Sequence, residues 1–396
     1  MIERPQVAAR VHDLFRVHPC VAILGPRQSG KTTLVRMLGA GEAAVTFFDL
    51  ESPLDLRKLS VPMRTLGGLT GLVVIDEIQR MPGLFAILRV LLDRPEQSAR
   101  FLILGSASPA LVKGVSESLA GRVGFVDLGG FDLREVGSDA QDTLWERGGF
   151  PRSFLAPDAA ASCDWREGFI RTFLERDIPQ LGITVPAETL RRFWTMVAHY
   201  HGQVWNAAEF ARSLGASEGT ARRYLDILAG AYLVRVLPPW FENLSKRQVK
   251  APKIYVRDAG LFHSLLDLRS REDLLGHPKL GASWEGFAVE QTLAAFATRD
   301  AYFWATHGGA ELDLMVVIHG KRYGFECTVS DAPGSTRSAR IALADLALEH
   351  LWTLYPGTDA YDLDERLSVL PLRELPALAE RLTGSRPPRS DDGSTQ

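Results

Sequence analysis

Cysteine is scarce, with three in 396 residues, at Cys20, Cys163 and Cys327. None lies at a paired spacing, which argues against a disulfide framework or a cysteine-based zinc site and points to a reducing cytoplasm. No stretch approaches the about 20 apolar residues that cross a bilayer, so no membrane partner is expected. The opening Met1-Ile2-Glu3-Arg4-Pro5 lacks the apolar core of a leader peptide. Positive charge is not in excess either. Lys and Arg number 45 against 48 Asp and Glu, a net charge of -3. No global field advertises nucleic acid, and any such contact has to use a local basic patch. No internal repeat is found.

What is present is ordinary for a globular chain with real cores: 46% hydrophobic and 23% charged residues. At roughly 100–200 residues per domain the length suggests two to four domains. Short apolar runs at Cys20–Leu24, Ala44–Leu50, Leu72–Ile75, Phe101–Leu104 and Val123–Leu128 read as strands, with helix-like periods between them. Such alternation predicts an α/β unit with a mostly parallel sheet covered on both faces. After Gly129-Gly130 the chain reads as mostly helical to about residue 230, then gives β-like runs at Tyr232–Leu237 and Lys253–Val256. A last unit opens with a helix near residue 282 and continues through strand-like runs at Tyr302–Thr306, Leu312–Ile318 and Tyr323–Val329.

Gly25-Pro26-Arg27-Gln28-Ser29-Gly30-Lys31-Thr32 fits G-x-x-x-x-G-K-[ST], directly after the strand Val21–Leu24 and at the head of a helix. In that context glycines let backbone N–H groups wrap phosphates, and the helix N-terminus adds partial positive charge. Gly25 to Thr33 therefore form the expected ATP cradle. Within it Lys31 reaches the β- and γ-phosphates, and the Thr32 hydroxyl holds Mg²⁺. Leu72-Val73-Val74-Ile75-Asp76-Glu77 is an apolar strand ending in two carboxylates. Asp76 is expected to hold Mg²⁺ and Glu77 to act as the general base on the attacking water. Ser106, ending the strand from Phe101, has two readings: a hydroxyl that orients the water, or a turn serine. Arg122, after a helix-like stretch Pro109–Ala120, is either a finger entering a neighbouring subunit's site or a solvated surface residue.

Asn206–Leu214, Gly215-Ala216 and Ser217–Leu228 read as helix, turn, helix, with Asn206 and Glu209 as a capping box and Ser217 capping the second helix. Arg222 and Arg223 face outward on that second helix, and a hairpin wing follows. Lys246, Arg247, Lys250 and Lys253 form a run free of acidic residues, suited to nucleic-acid phosphates. Winged helices also serve as protein–protein modules, so a protein partner stays open.

The stretches GPRQSGKTTL, VVIDEIQR, SLAGR, GGFP, FLERDIP, RRYLDIL, KIYVRDAGL, ELDLMV and YGFEC resemble the AAA_14/DUF4143 family of AAA+ ATPases. The resemblance implies a nucleotide-binding core at 1–135, a helical extension at 136–188 and a winged helix at 189–260. It further implies a restriction-endonuclease-like α+β domain at 261–382, and the Gly, Ser, Pro and charge of 383–396 predict a disordered tail. In the family pattern Arg122 stands where the arginine finger lies, which implies a ring-like homo-oligomer, six copies being the expected count. Arg176 in FLERDIP is either a nucleotide sensor or half of a structural Arg–Asp pair. Glu285, Asp313 and Glu326 match the three acidic positions of a D…E-x-K pattern that binds Mg²⁺. Its lysine position holds Thr328, which cannot supply the positive charge, so nuclease activity is not the expected outcome. The reading that follows is an ATP-hydrolysing AAA+ protein acting on DNA as a remodeller or branch-migration-type motor. The alternatives are a nucleotide-gated switch with protein partners, or an ATP-gated nuclease.

Overall fold

The computed structural model describes residues 2–95, 98–106, 114–115, 117–241 and 248–384. Of the sequence expectations, Lys246, Arg247, half of the helix expected at Pro109–Ala120, and the tail from 385 lie outside the described residues. The chain divides into two compact units, Met1–Gly130 with Gly230–Tyr232, and Phe131–Ala229 with Leu233–Gln396.

In the first unit five apolar runs form strands β1 (Cys20–Gly25), β2 (Val45–Asp49), β3 (Gly71–Asp76), β4 (Ala99–Ser106) and β5 (Val123–Asp127). They make one sheet in the order β2-β3-β4-β1-β5, every neighbouring pair parallel. Parallel strands are buried on both faces, which is why these runs are continuously apolar rather than alternating. Ala22, Leu24, Val73, Ile75, Phe101 and Ile103 pack on one face. Val21, Ile23, Leu72, Val74, Leu102 and Leu104 pack on the other. The register aligns the strand ends that matter, pairing Gly25 with Ser106 and Asp49 with Asp76. Ligand-binding loops in such sheets leave from these carboxyl ends.

The second unit is helical at first, through Gln141–Arg147, Ala159–Thr172 and Ala187–His199. A π-helical turn, Phe173–Asp177, extends the middle helix. Next come β6 (Gln203–Val204), helices Ala207–Leu214 and Glu218–Gly230, and strands β7 (Val234–Leu237) and β8 (Lys253–Val256). These strands form a small antiparallel sheet, β6-β8-β7. Asn206 caps the first of the two helices from its side chain, and Ser217 accepts from Thr220 N–H at 3.1 Å at the head of the second. The expected capping box closes on one side only, because Glu209 instead accepts from the Tyr200 hydroxyl at 3.1 Å.

Helices Ala259–Leu265 and Leu280–Phe296 lead into a six-stranded mixed sheet. Its strands are β9 (Ala301–Ala305), β10 (Glu311–Ile318), β11 (Lys321–Cys327), β12 (His350–Tyr355), β13 (Tyr361–Asp364) and β14 (Leu367–Pro371), in the order β13-β14-β12-β11-β10-β9. The pairs β9–β10, β10–β11 and β13–β14 are antiparallel, whereas β11–β12 and β12–β14 are parallel. A bulge between Leu312 and Met315 interrupts the β10–β9 register at Asp313. Bulges re-aim side chains, and Asp313 is one of the predicted acidic residues.

Two of the motif stretches meet in a joint within this unit. The Asp258 carboxylate accepts from Leu261 N–H at 2.9 Å and from Gly149 N–H at 2.8 Å. At Gly148, with φ of +76°, a Cβ would lie 2.2 Å from Asp258 Oδ1. GGFP and KIYVRDAGL are thus two halves of one structural contact. Among the described residues, no helix is long and apolar enough to cross a membrane.

Candidate functional site: a phosphate loop against two carboxylates

The loop after β1 turns through Gln28, with φ of +62°, and Gly30, with φ of +90°, into the helix Lys31–Gly39. That helix has no side-chain cap, so its first N–H groups stay free to meet an anion. At Gly25 a Cβ would lie 2.0 Å from the Leu128 carbonyl oxygen, and no larger residue fits there. Lys31 is buried, and its ammonium donates to the carbonyls of Gly25 at 3.1 Å and Pro26 at 2.7 Å. An ammonium has three donors, so one remains for a phosphate oxygen. Burial lowers the Lys31 pKa to about 8, against the opposing pull of Glu77 and Asp76. Pro26 and Ser29 are buried, Gln28 and Thr33 exposed.

The Thr32 hydroxyl donates to Asp76 Oδ2 at 2.8 Å, joining the loop to the end of β3. Asp76 Oδ1 accepts from Glu77 N–H at 2.9 Å. Glu77 itself sits at φ of +54°. A non-glycine residue in that region costs on the order of 1–3 kcal/mol and persists where its surroundings hold it, often at a reacting centre. Its carboxylate accepts from Gln79 and lies 3.9 Å from the Arg27 guanidinium. Burial raises the pKa of both Asp76 and Glu77, with Lys31 pulling each of them down. The Arg27 guanidinium also pairs with Glu51 at 3.0 Å.

Ser29 Oγ and Ser106 Oγ are buried with no hydrogen-bond partner among the described residues. Buried hydroxyls are normally paired; Ser106 ends β4, and Ser29 lies in the loop that follows β1. Together with the free ammonium donor, the uncapped helix and the hydroxyl–carboxylate pair, these groups fit a nucleotide phosphate with its divalent cation. Arg122 is at the surface of the unit, where it forms a two-point ion pair with Asp93 of its own chain at 2.6 and 2.8 Å.

Sequence reasoning missed one residue. Arg4 is 6% exposed, and its guanidinium donates to the carbonyls of Ser29 at 3.2 Å, Gly129 at 3.2 Å and Gly130 at 2.7 Å. It ties the phosphate loop to the segment that follows β5. No local pattern announces a long-range arginine–carbonyl contact.

In the second unit, Glu285 on the helix Leu280–Phe296, Asp313 on β10 and Glu326 on β11 gather with Glu311 and Tyr255 around Lys253. This corrects the expectation that Lys253 contacts nucleic acid: it is 2% exposed and ion-paired to Glu285, Glu311 and Asp313. A buried ammonium held by carboxylates cannot also reach a surface phosphate. Arg222, Arg223 and Lys250 are exposed, as a phosphate contact requires. Arg176 is exposed on the π-helical turn, and its neighbour Asp177 is buried.

Comparison with known proteins agrees with this arrangement. An uncharacterized protein of Mycobacterium tuberculosis is 52% identical over 375 residues, 95% of this chain and 85% of that protein. An uncharacterized protein of Mycobacterium bovis matches to the same extent. An AAA domain matches residues 17–137, and a domain of unknown function, DUF4143, matches residues 280–375. The chain belongs to the AAA_14/DUF4143 family of P-loop ATPases. A further domain of unknown function, DUF8612, covers residues 138–272 of this AAA_14/DUF4143 protein. Among solved structures, the Walker-type ATPase of Pyrococcus abyssi aligns with a TM-score of 0.48 at 14% identity, over 67% of this chain and 96% of that one. A Thermotoga maritima RuvB variant aligns at 0.31 and 14% identity, over 60% and 90%.

Proposed function

We propose that this AAA_14/DUF4143 protein binds ATP with Mg²⁺, hydrolyses it, and couples the cycle to DNA as a remodeller or branch-migration-type motor. The observation that carries the hydrolytic part is the Thr32–Asp76 hydrogen bond at 2.8 Å, with Glu77 next in the chain. It brings a hydroxyl and a carboxylate, the two protein groups that hold the cation in P-loop sites, to one point. Lys31 neutralises charge on the β- and γ-phosphates. Glu77 takes the proton of the attacking water, and Ser106 orients that water. Arg122 stabilises charge on the transferring phosphoryl group of a neighbouring copy in a ring-like homo-oligomer, with six as the expected count.

Contact with DNA rests on Arg222, Arg223 and Lys250, joined by Lys246 and Arg247. The order helix, β6, helix, helix, β7, β8 from residue 187 to 256 supports a winged-helix reading of that region. The setting proposed is the cytoplasm.

One observation favours a second reading, a nucleotide-gated switch with protein partners. Arg122 is tied to Asp93, and Glu77 is held by Gln79, within the same chain. Both groups have to be released before turnover, which suits a protein that binds tightly and hydrolyses slowly. Steady-state ATPase rates against single-stranded, duplex, forked and four-way-junction DNA separate the two, with Glu77→Gln as the blank. Strong stimulation by one DNA form supports the motor. A flat, slow rate across all four refutes it and leaves the switch.

A further inference from the structure

The restriction-endonuclease-like resemblance implies a divalent cation between Glu285, Asp313 and Glu326, and the residues do not fit one. A divalent cation of this kind needs several oxygens at about 2.0–2.6 Å, each with a lone pair to give. Here the Lys253 ammonium already stands at the point the carboxylates share. It lies 3.0 Å from Glu285 Oε1 and 3.4 Å from Asp313 Oδ1, and it pairs with Glu311. Two further donors engage the same carboxylates. The Tyr255 hydroxyl donates to the same Glu285 oxygen at 2.7 Å, and Cys327 N–H donates to Asp313 Oδ2 at 3.0 Å. Among the described residues, no group of three or more His, Cys, Asp or Glu side chains is arranged to hold a metal ion.

The Lys253 backbone is also fixed in place. It lies on β8, the central strand of the three-stranded sheet, paired with Val204 of β6 on one side and Leu237 of β7 on the other. Its ammonium also lies 5.7 Å from the centre of the Phe303 ring, a favourable place for a cation.

We propose that Lys253 is the built-in cation of this cluster, and that the C-terminal domain works without a divalent metal. The lysine missing at Thr328 has not been moved to serve a bound ion. It occupies the ion's place. The domain then keeps the sheet of a nuclease-like fold without metal-dependent cleavage, and the ATP-gated nuclease reading falls. This inference does not depend on the ATPase reading, because it concerns residues of the second unit alone.

The test is Mn²⁺ binding to the full-length, nucleotide-free protein, followed by electron paramagnetic resonance. Wild type and Asp313→Asn should bind Mn²⁺ alike, since neither has a cation site in the cluster. Lys253→Met, which keeps the apolar stem and removes the charge, should gain a site at least tenfold tighter than any in wild type. Asp313→Asn in that background should abolish the gain. A wild-type site that Asp313→Asn or Glu326→Gln removes would overturn the proposal. The buried Glu326 Oε1, which has no hydrogen-bond partner among the described residues, is where such a site would show. Mn²⁺-dependent DNA cleavage lost in Asp313→Asn would overturn it too, as would a folded Lys253→Met that gains nothing. If Lys253→Met does not fold, the wild-type and Asp313→Asn comparison decides alone.

Discussion

Glu290 offers the most quantitative test of how the second unit is held together. It lies on the helix Leu280–Phe296 and meets two arginines from the small sheet. Arg235 of β7 makes a two-point contact whose longer arm is 2.8 Å, and Arg257, just after β8, donates at 3.1 Å. Burial alone would raise this carboxyl, but the two guanidinium groups overcome it and hold the pKa at about 2, against an ordinary 4.5. The difference is about 2.5 units, and at 1.36 kcal/mol per unit it corresponds to about 3 kcal/mol. The arginine side chains are 25% and 23% exposed, so solvent screening trims this to about 2–3 kcal/mol. A carboxyl depressed in the folded state contributes its full stability above the unfolded pKa. That contribution is lost as pH falls through the folded value. Glu290→Gln should therefore cost about 2–3 kcal/mol at pH 7, a difference that shrinks between pH 4.5 and 2. All eight tryptophans lie in the second unit, so urea unfolding followed by tryptophan fluorescence reads that unit alone. A penalty below about 0.5 kcal/mol at pH 7, or one that does not change with pH, refutes the reasoning.

Glu77→Gln should lower ATP turnover by about 10²–10⁴-fold while leaving nucleotide affinity within a few-fold, checked by single-turnover hydrolysis beside equilibrium binding. Arg122→Ala should lower kcat by about 10³-fold or more with little change in KM. Wild type should gain specific activity as protein concentration rises, and a concentration-independent rate in both proteins would leave Arg122 a surface residue. Arg4→Met removes a buried charged donor from three carbonyls, and hydrogen bonds to charged groups are worth about 1.5–3 kcal/mol each. It should destabilise the first unit by about 2–4 kcal/mol, read as the midpoint of its far-ultraviolet dichroism transition, and raise the KM for ATP several-fold.

The P-loop unit was legible because its signals are local. Five continuous apolar runs became five parallel strands, and the G-x-x-x-x-G-K-[ST] loop lies between the strand and the helix that give it meaning. The C-terminal sheet was half legible. Strands β9, β10 and β11 form antiparallel neighbours with short connections, and their runs stood out. Strands β12 and β14 are short, buried and parallel to each other, so their runs carry no period that separates a strand from a piece of buried helix. Lys253 shows a different failure. A count of basic residues along the chain registers charge but not direction, and β8 turns this lysine inward while Lys250, three residues earlier, stays exposed. Arg4 was invisible because its partners are 25 to 126 positions away.

The same distinction bears on where the function of the AAA_14/DUF4143 protein should be sought. Several motif stretches turn out to be occupied with holding the chain together. GGFP and KIYVRDAGL close on each other through Asp258, and the lysine of KIYVRDAGL fills the acidic cluster. Arg257 of the same stretch is committed to Glu290. A side chain satisfied inside its own unit has no free donor for a partner. By contrast Arg176, Arg222, Arg223 and Lys250 are exposed. Charge reversal at Arg222 and Arg223 tests their proposed contact with an anionic partner without disturbing the buried joints.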